Sequence, residues 1–414
     1  MKNNLNFITF GCKLNAFETQ VMKEKAEHYN LSNFSFINSC AVTNQAVKQT
    51  RQAIRKERRE NPDNKIIVTG CAAELHPNEF MSMPEVDCII GNHEKTKLST
   101  FGNLVGIKKD ISEENIIEEE TPFIKNFDNR TRAFVQIQNG CDHRCTFCII
   151  PYARGQSRSI DQETIIRQIQ TLLDKGYHEI ILTGVDITSY GQDLNEKINL
   201  GILIKNIIKG TNNLKRLRIS SIDSIEIDDD FLEVFTSEKI IMPHLHLSLQ
   251  SGNDMILKRM LRRHQTKDAI AFCEKIQKVR PESVFGADLI AGFPTESDSM
   301  HKSTKKHITD CNLTYLHIFP FSAKQGTPAA RMPQVEKKVI QKRSKELREV
   351  GGQRLNIFLI NEVGKEKKVL VEKPGFGRTE QYSKVLIPED NNQGTLITKK
   401  IIGINKDQLM AQLN

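Results

Sequence analysis

The sequence predicts an α/β chain in three parts: an N-terminal parallel α/β unit over residues 1–110, an open, partial (β/α)6 barrel over 131–333, and a small C-terminal β-barrel over 352–414. Two patterns predict it. Strand-like apolar runs alternate with helical stretches as far as Phe319, as parallel sheets require. Beyond the middle 350s the pattern changes to short strand-like pieces broken by glycine, which suits a small closed barrel. At 414 residues the chain is long enough for two or three separate cores.

In the first part the strands fall at Leu5–Phe10, Phe34–Asn38, Lys65–Thr69 and Val86–Ile90, with helices over Phe17–His28 and Ala41–Arg59. Cys12, Cys40 and Cys71 each follow a strand end. In a parallel sheet the loops after the strands share one edge, where ligands bind. Three sequence-distant thiols would converge there as a metal-binding set; the alternative is three unrelated buried cysteines. Cys88 lies inside the fourth strand run and reads as core. Cys273 and Cys311 also read as structural, with no cysteine or histidine partner at ligand spacing. Residues 96–130 read as a solvated linker, acidic over Ser112–Thr121 and polar over Asn126–Thr131.

The second part has six strand-like runs: Ala133–Gln138, Glu179–Thr183, Arg216–Ser220, His244–Leu249, Val284–Ile290 and Tyr315–Phe319. Helices such as Gln162–Lys175 and Lys267–Val279 lie between them. In a barrel of β/α units the active residues sit in the loops after the strands. The first such loop reads Cys141-Asp-His-Arg-Cys145-Thr-Phe-Cys148. Soft thiolates at this C-x3-C-x2-C spacing can hold three irons of a cubane iron–sulfur cluster and leave the fourth open. Gly184-Val185-Asp186, Ser220-Ser221, Gln250-Ser251-Gly252 and Gly292-Phe293-Pro294 follow the next four strands. Every distinctive small or polar motif therefore falls on one face. Turn marking explains glycines and serines there, but not cysteines in the same layer.

The third part opens near Pro333 with a highly charged helix, Val335–Gly351. Strand pieces follow at Lys368–Glu372, Lys384–Ile387 and Gly394–Thr398. From Gly364 to Asn414 there are nine Lys/Arg and six Asp/Glu, a net of +3. Small basic barrels often bind single-stranded or looped RNA. The whole chain carries +8, which fits a polyanion partner or plain solubility. Lys48, Arg51, Arg55, Arg58 and Arg59 crowd one helix, and Lys258, Arg259, Arg262 and Arg263 form a second basic cluster. Either set could meet RNA phosphates or form a solvated face. There is no apolar run of membrane-spanning length, and the first residues lack a signal-peptide layout. A cytoplasmic protein with no membrane partner is expected. In a reducing compartment its nine cysteines suit ligands or core better than disulfides.

Taken in order, these segments resemble the radical S-adenosylmethionine methylthiotransferases. Thr9-Phe-Gly-Cys12-Lys-Leu-Asn15, Asn38-Ser-Cys40-Ala-Val-Thr43 and Val68-Thr-Gly-Cys71-Ala-Ala73 are similar to the family's N-terminal cluster domain. Gly140-Cys141 through Cys148-Ile-Ile-Pro-Tyr-Ala-Arg-Gly155, then Ser157-Arg-Ser159, resembles its radical core. His317-Ile-Phe-Pro-Phe321 and Gly326-Thr-Pro-Ala-Ala-Arg-Met-Pro333 look like the end of that core, and Gly377-Arg-Thr-Glu-Gln-Tyr382 like its C-terminal RNA-binding TRAM barrel. The resemblance covers nearly the whole chain. It is greatest to the branch acting on N6-threonylcarbamoyladenosine in tRNA. Sister branches modify isopentenyladenosine in tRNA or an aspartate of a ribosomal protein. The stretch from Cys12 to Cys40 is several residues shorter than the family pattern.

The resemblance implies a transferase that inserts a methylthio group at C2 of N6-threonylcarbamoyladenosine at position 37 of tRNA. It implies two [4Fe-4S] clusters. Cys141, Cys145 and Cys148 would hold one, with S-adenosyl-L-methionine on its open iron. Cys12, Cys40 and Cys71 would hold the other, which carries the sulfur. Phe147, Gly184, Asp186 and Gln250 are expected to contact S-adenosyl-L-methionine; turn and helix-cap bonds are the alternative for Asp186 and Gln250. The implied partners are the tRNA anticodon stem-loop, an electron donor such as flavodoxin or ferredoxin, and a sulfur donor. The reading from another class is a non-catalytic RNA-binding module with zinc at the cysteines.

Overall fold

The computed structural model describes residues 4–104, 121–128 and 130–412. The N-terminal sheet has four parallel strands in chain order: β1 (Leu5–Thr9), β2 (Phe34–Ser39), β3 (Lys65–Gly70) and β4 (Cys88–Ile89). β4 is shorter than the apolar run Val86–Ile90; at its start the Asp87 amide donates to the Ile66 carbonyl at 3.0 Å while its carboxylate, in place of its carbonyl, accepts from the Ile66 amide at 2.7 Å. Helix α1 (Lys13–His28) starts right after the extended Cys12. Helix α2 (Asn44–Glu60) starts at Asn44 rather than Ala41, because Thr43 caps it by accepting from the Ala46 amide.

The central strands are β5 (Arg132–Gln136), a short hairpin of β6 (Gln138–Asn139) and β7 (Arg158–Ser159), then β8 (Glu179–Thr183), β9 (Arg216–Ile219), β10 (Ser221–Ile222), β11 (His244–Gln250), β12 (Val284–Ala291) and β13 (Leu313–Pro320). β5, β8 and β9 pair in parallel, as do β10 to β13. The two sheets join where Leu217 donates to the Ile240 carbonyl and accepts from the Met242 amide, both at 2.8 Å. The result is a curved run of six β/α units, open between β5 and β13. Its core unites strand residues such as Val135, Ile181 and Leu247 with Ile165, Ile169 and Leu172 of the Gln162–Asp174 helix.

Two apolar anchors correct the reading of residues 96–130 as a solvated linker. Ile124 and Phe127 are buried in that same core. Their backbone is held by the side chains of Gln168 and Tyr177, with the Tyr177 hydroxyl accepting from the Phe127 amide at 2.8 Å. Leu98–Leu104 is helical. The acidic run from Ser112 as far as Glu120 lies outside the described residues. Phe17 and Val21 of α1 also enter the central core, so α1 packs on both sheets.

The charged helix continues past Gly351 to Glu362. The glycine does not break it, since a Cβ there would lie 3.1 Å from Leu316 of β13, and its absence lets helix and strand approach closely. A closed barrel follows, with β14 (Glu366–Lys373), β15 (Phe376–Thr379), β16 (Lys384–Leu386), β17 (Leu396–Asn405) and β18 (Gln408–Ala411) in the order β14-β15-β16-β18-β17. Leu359 of the long helix packs among its core residues Val369, Val385, Ile401 and Leu409. Closure leaves no free strand edge.

Tyr382, in the β15–β16 turn, ties this barrel to the central one. Its ring stacks on His244 at 5.0 Å and lies under the guanidiniums of Arg378 at 4.3 Å and Arg218 at 4.9 Å. Burial opposes ionisation of the phenol, but Arg132, Arg378 and Lys13 prevail and hold it down to about 8. Tyr382→Ala is expected to cost about 3 kcal/mol from lost packing and cation–π contacts. A matching fall in thermal stability, with earlier proteolysis in the Lys337–Glu362 helix, would register it.

Candidate active site

The loops after β1, β2 and β3 line one cavity with the loops that follow the central strands. Cys40 directly follows β2, and Cys71 opens a short helix, Cys71–Leu75, whose first amides donate to the Ser39 hydroxyl. Gly70 precedes it with φ +92, and a side chain there would come within 2.4 Å of the Ser39 carbonyl. The backbone can therefore pass only as glycine. Cys141, Cys145 and Cys148 come from the loop after β5 and β6. All six sulfur-bearing residues line one cavity of about 700 Å³.

All six are free cysteines. Burial pushes the Cys40 and Cys148 thiols up to about 11 and, with Asp186 beside it, the Cys141 thiol to about 12. As bare thiols these three are weak nucleophiles at neutral pH. Three soft donors on each wall of the cavity suit iron–sulfur clusters with one open iron apiece, so the donor set fits the implied cofactors.

The other four expected site residues line the same cavity. Gly184 lets the backbone run close to β6, since a Cβ would lie 2.8 Å from the Gln138 carbonyl. Phe147 packs edge-on against Phe293, with ring centroids 6.5 Å apart. Gln250 ends β11 in the left-handed region at φ +64, where the β11–β12 register shifts. Asp186 makes the turn bonds foreseen as the alternative, accepting from the Thr188 and Ser189 hydroxyls at 2.9 and 2.7 Å. It also pairs with His143 at 2.8 Å. Burial resists its ionisation, but His143 and Ser189 hold the carboxyl below the usual range. Hydrogen bonds to Asp186 and Glu226 in turn raise His143 to about 10.

Several site residues carried no sequence signal of their own. Arg262 is no free phosphate contact. It turns inward, pairing with Asp223 at 2.6 Å, donating to the Ser248 carbonyl at 2.8 Å and lying 3.8 Å from the Cys145 sulfur. Arg259 is likewise engaged, on Thr295. His246, Asp288 and His317 meet from β11, β12 and β13, with both rings on the same Asp288 oxygen at 2.9 and 3.1 Å. Arg154 crosses to α1, where it holds Glu18 at 2.7 Å and Asn15 at 2.5 Å; Lys95 holds Glu18 from the other side at 2.6 Å. Away from the cavity, the expectation that Cys273 and Cys311 lack such partners is corrected. Cys311 lies 3.5 Å from the ring of His307, one helical turn before it, and both cysteines are buried in the central core.

Two family models match the chain: "Radical SAM superfamily" over residues 135–308 and "Uncharacterized protein family UPF0004" over 4–91. The threonylcarbamoyladenosine tRNA methylthiotransferase MtaB of Rickettsia prowazekii is 45% identical over 100% of this chain and 99% of its own. The chain belongs to the radical S-adenosylmethionine methylthiotransferase family. It is an enzyme of the transferase class. Another member, the tRNA-2-methylthio-N(6)-dimethylallyladenosine synthase of Pelagibacter ubique, is 31% identical over 98% of this chain and 96% of its own. Among solved structures, the radical S-adenosylmethionine methyltransferase TsrM of Kitasatospora setae aligns with a TM-score of 0.57 at 12% identity, over 80% of this chain and 77% of that one. At that identity it speaks for the fold shared by radical S-adenosylmethionine enzymes. For this methylthiotransferase the family implies a [4Fe-4S] cluster and S-adenosyl-L-methionine. Among the described residues no helix is long and apolar enough to cross a membrane.

Proposed function

We propose that this methylthiotransferase acts on tRNA, inserting a methylthio group at C2 of N6-threonylcarbamoyladenosine at position 37. The observation that carries the reading is one cavity faced by three cysteines of the N-terminal sheet and three of the barrel loop. Cys141, Cys145 and Cys148 would hold the cluster that takes S-adenosyl-L-methionine, and Cys12, Cys40 and Cys71 a second one. When bound, these groups supply one-electron radical chemistry at an unreactive adenine C–H and a sulfur to transfer.

The chain's own residues do the rest. Gly184 gives the cofactor room beside the backbone, Phe147 offers an apolar face, and Gln250 presents its amide to the cavity. Arg262 places its guanidinium 3.8 Å from the Cys145 sulfur. Arg154 and Glu18 fix the two cysteine-bearing walls against each other. The choice of threonylcarbamoyladenosine over the dimethylallyl substrate is supported by the 45% against 31% identity of the relatives so named.

A groove of about 510 Å³ beside the cavity, lined by Lys48, Arg55 and Lys324 with Arg51 paired to Glu79, suits the phosphates of an anticodon stem-loop. An electron donor such as flavodoxin or ferredoxin and a sulfur donor complete the reaction.

Mass spectrometry of tRNA nucleosides with and without this chain tests the proposal. The methylthio-threonylcarbamoyl nucleoside is expected to appear only with it. Its persistence in a deletion strain would end the substrate assignment, and loss of the methylthio-isopentenyl nucleoside instead would favour the sister branch. An anaerobic preparation that holds zinc alone and cannot cleave S-adenosyl-L-methionine would favour the non-catalytic module.

A further inference from the structure

The cavity holds five cationic or basic side chains besides its sulfurs, and four are engaged. Arg154 is on Glu18, Arg262 on Asp223, His143 on Asp186 and His317 on Asp288. Lys13 is the fifth. Its ammonium has no hydrogen bond or ion pair among the described residues, although it is half-buried and lines the cavity. Burial disfavours its charge, as do Arg132 and Arg218; of the two groups that favour it, Tyr382 lies under the guanidiniums of Arg378 and Arg218, and Asp288 is taken up by two histidines. The ammonium at this wall of the cavity therefore has no anion of its own.

The backbone adds to this. Lys13 is the first residue of the 16-residue helix α1, and the Cys12 side chain makes no cap bond there. The first amides of such a helix are unpaired donors at its positive end. A cation and a helix start that face one cavity, next to a cysteine of the N-terminal set, call for an anionic ligand atom.

We propose that Lys13 is a specificity-determining residue that binds a carboxylate carried on the substrate base. The inference rests on the proposed substrate, because threonylcarbamoyl ends in a free carboxylate and a dimethylallyl group has none. A charge-assisted hydrogen bond from Lys13 then separates the two substrates without any contact to the purine ring.

The experiment compares anticodon stem-loops carrying threonylcarbamoyladenosine as the free acid and as its neutral methyl ester, on the full chain with clusters reconstituted. Wild type is expected to bind the acid about ten- to a hundredfold more tightly than the ester. Lys13→Gln should bring the two dissociation constants together and raise KM for the acid more than it lowers kcat. Lys13→Arg should restore part of the preference. Equal binding of acid and ester by wild type overturns the proposal whatever the variants do, and so does a preference undiminished in Lys13→Gln. If wild type methylthiolates the threonylcarbamoyl stem-loop yet binds acid and ester equally, only the Lys13 inference fails. If it methylthiolates the isopentenyl stem-loop instead, the substrate reading fails.

Discussion

Cys145→Ala is expected to reduce S-adenosyl-L-methionine cleavage to background, whereas Cys71→Ala keeps measurable cleavage but yields no methylthiolated tRNA. The reason is positional. Cys145 sits in the loop after β5 and β6 with Arg262 at 3.8 Å, whereas Cys71 starts a helix in the other sheet and belongs to the facing wall. Removing one of three ligands from the first set should cost that cluster and its cofactor site. Removing one from the second should leave the first intact. Iron content and the products of S-adenosyl-L-methionine turnover, read alongside nucleoside mass spectra, separate the two. Equal and total loss of cleavage in both folded variants would refute the division of labour.

The second large effect concerns the buried group that joins the walls. Glu18, Lys95 and Arg154 are all nearly inaccessible to solvent, and Glu18 takes both cations. Such a network is costly to assemble and costlier to break, since each deletion strands a charge in a dry interior. Arg154→Met should destabilise the fold by about 3–5 kcal/mol and loosen the N-terminal sheet from the barrel. The pH dependence has a defined sign. Burial alone would raise the Glu18 pKa, but Arg154 and Lys95 prevail and hold it at about 2. A carboxyl depressed on folding stabilises the native state above its unfolded pKa, near 4.3. That contribution falls away as the pH drops through the folded value. Denaturant unfolding between pH 4.5 and 2 should therefore show a steeper loss for wild type than for Glu18→Gln. Parallel slopes would contradict the linkage.

The fold was legible where local chemistry is repetitive. The six β/α units follow from apolar runs separated by helical periods, and the cysteine loop from spacing alone. What stayed hidden depended on distance through space. Nothing near Arg154 in the chain announces Glu18 on α1, and Arg262 reads as one of four neighbouring basic residues until the turn at Leu261, with φ +57, reverses the chain. Residues 121–128 looked solvated because Ile124 and Phe127 are isolated apolar positions, and only their partners Gln168 and Tyr177 show why they are buried. The His246–Asp288–His317 group arises from three separate strands, so no window of sequence contains it.

Helix α1 bears Lys13 on its first turn and Glu18 on its second, and Cys12 immediately before them. Each residue added to or removed from a helix turns everything beyond it by about 100° and shifts it by about 1.5 Å. A single-residue insertion between Lys13 and Glu18 would thus take the acid away from Arg154, or else take the lysine and cysteine away from the cavity. Length changes in this part of the gene are tolerable only after the helix has delivered Glu18. The opening turns of α1 act as a ruler whose graduations cannot be respaced, even where individual letters can be changed.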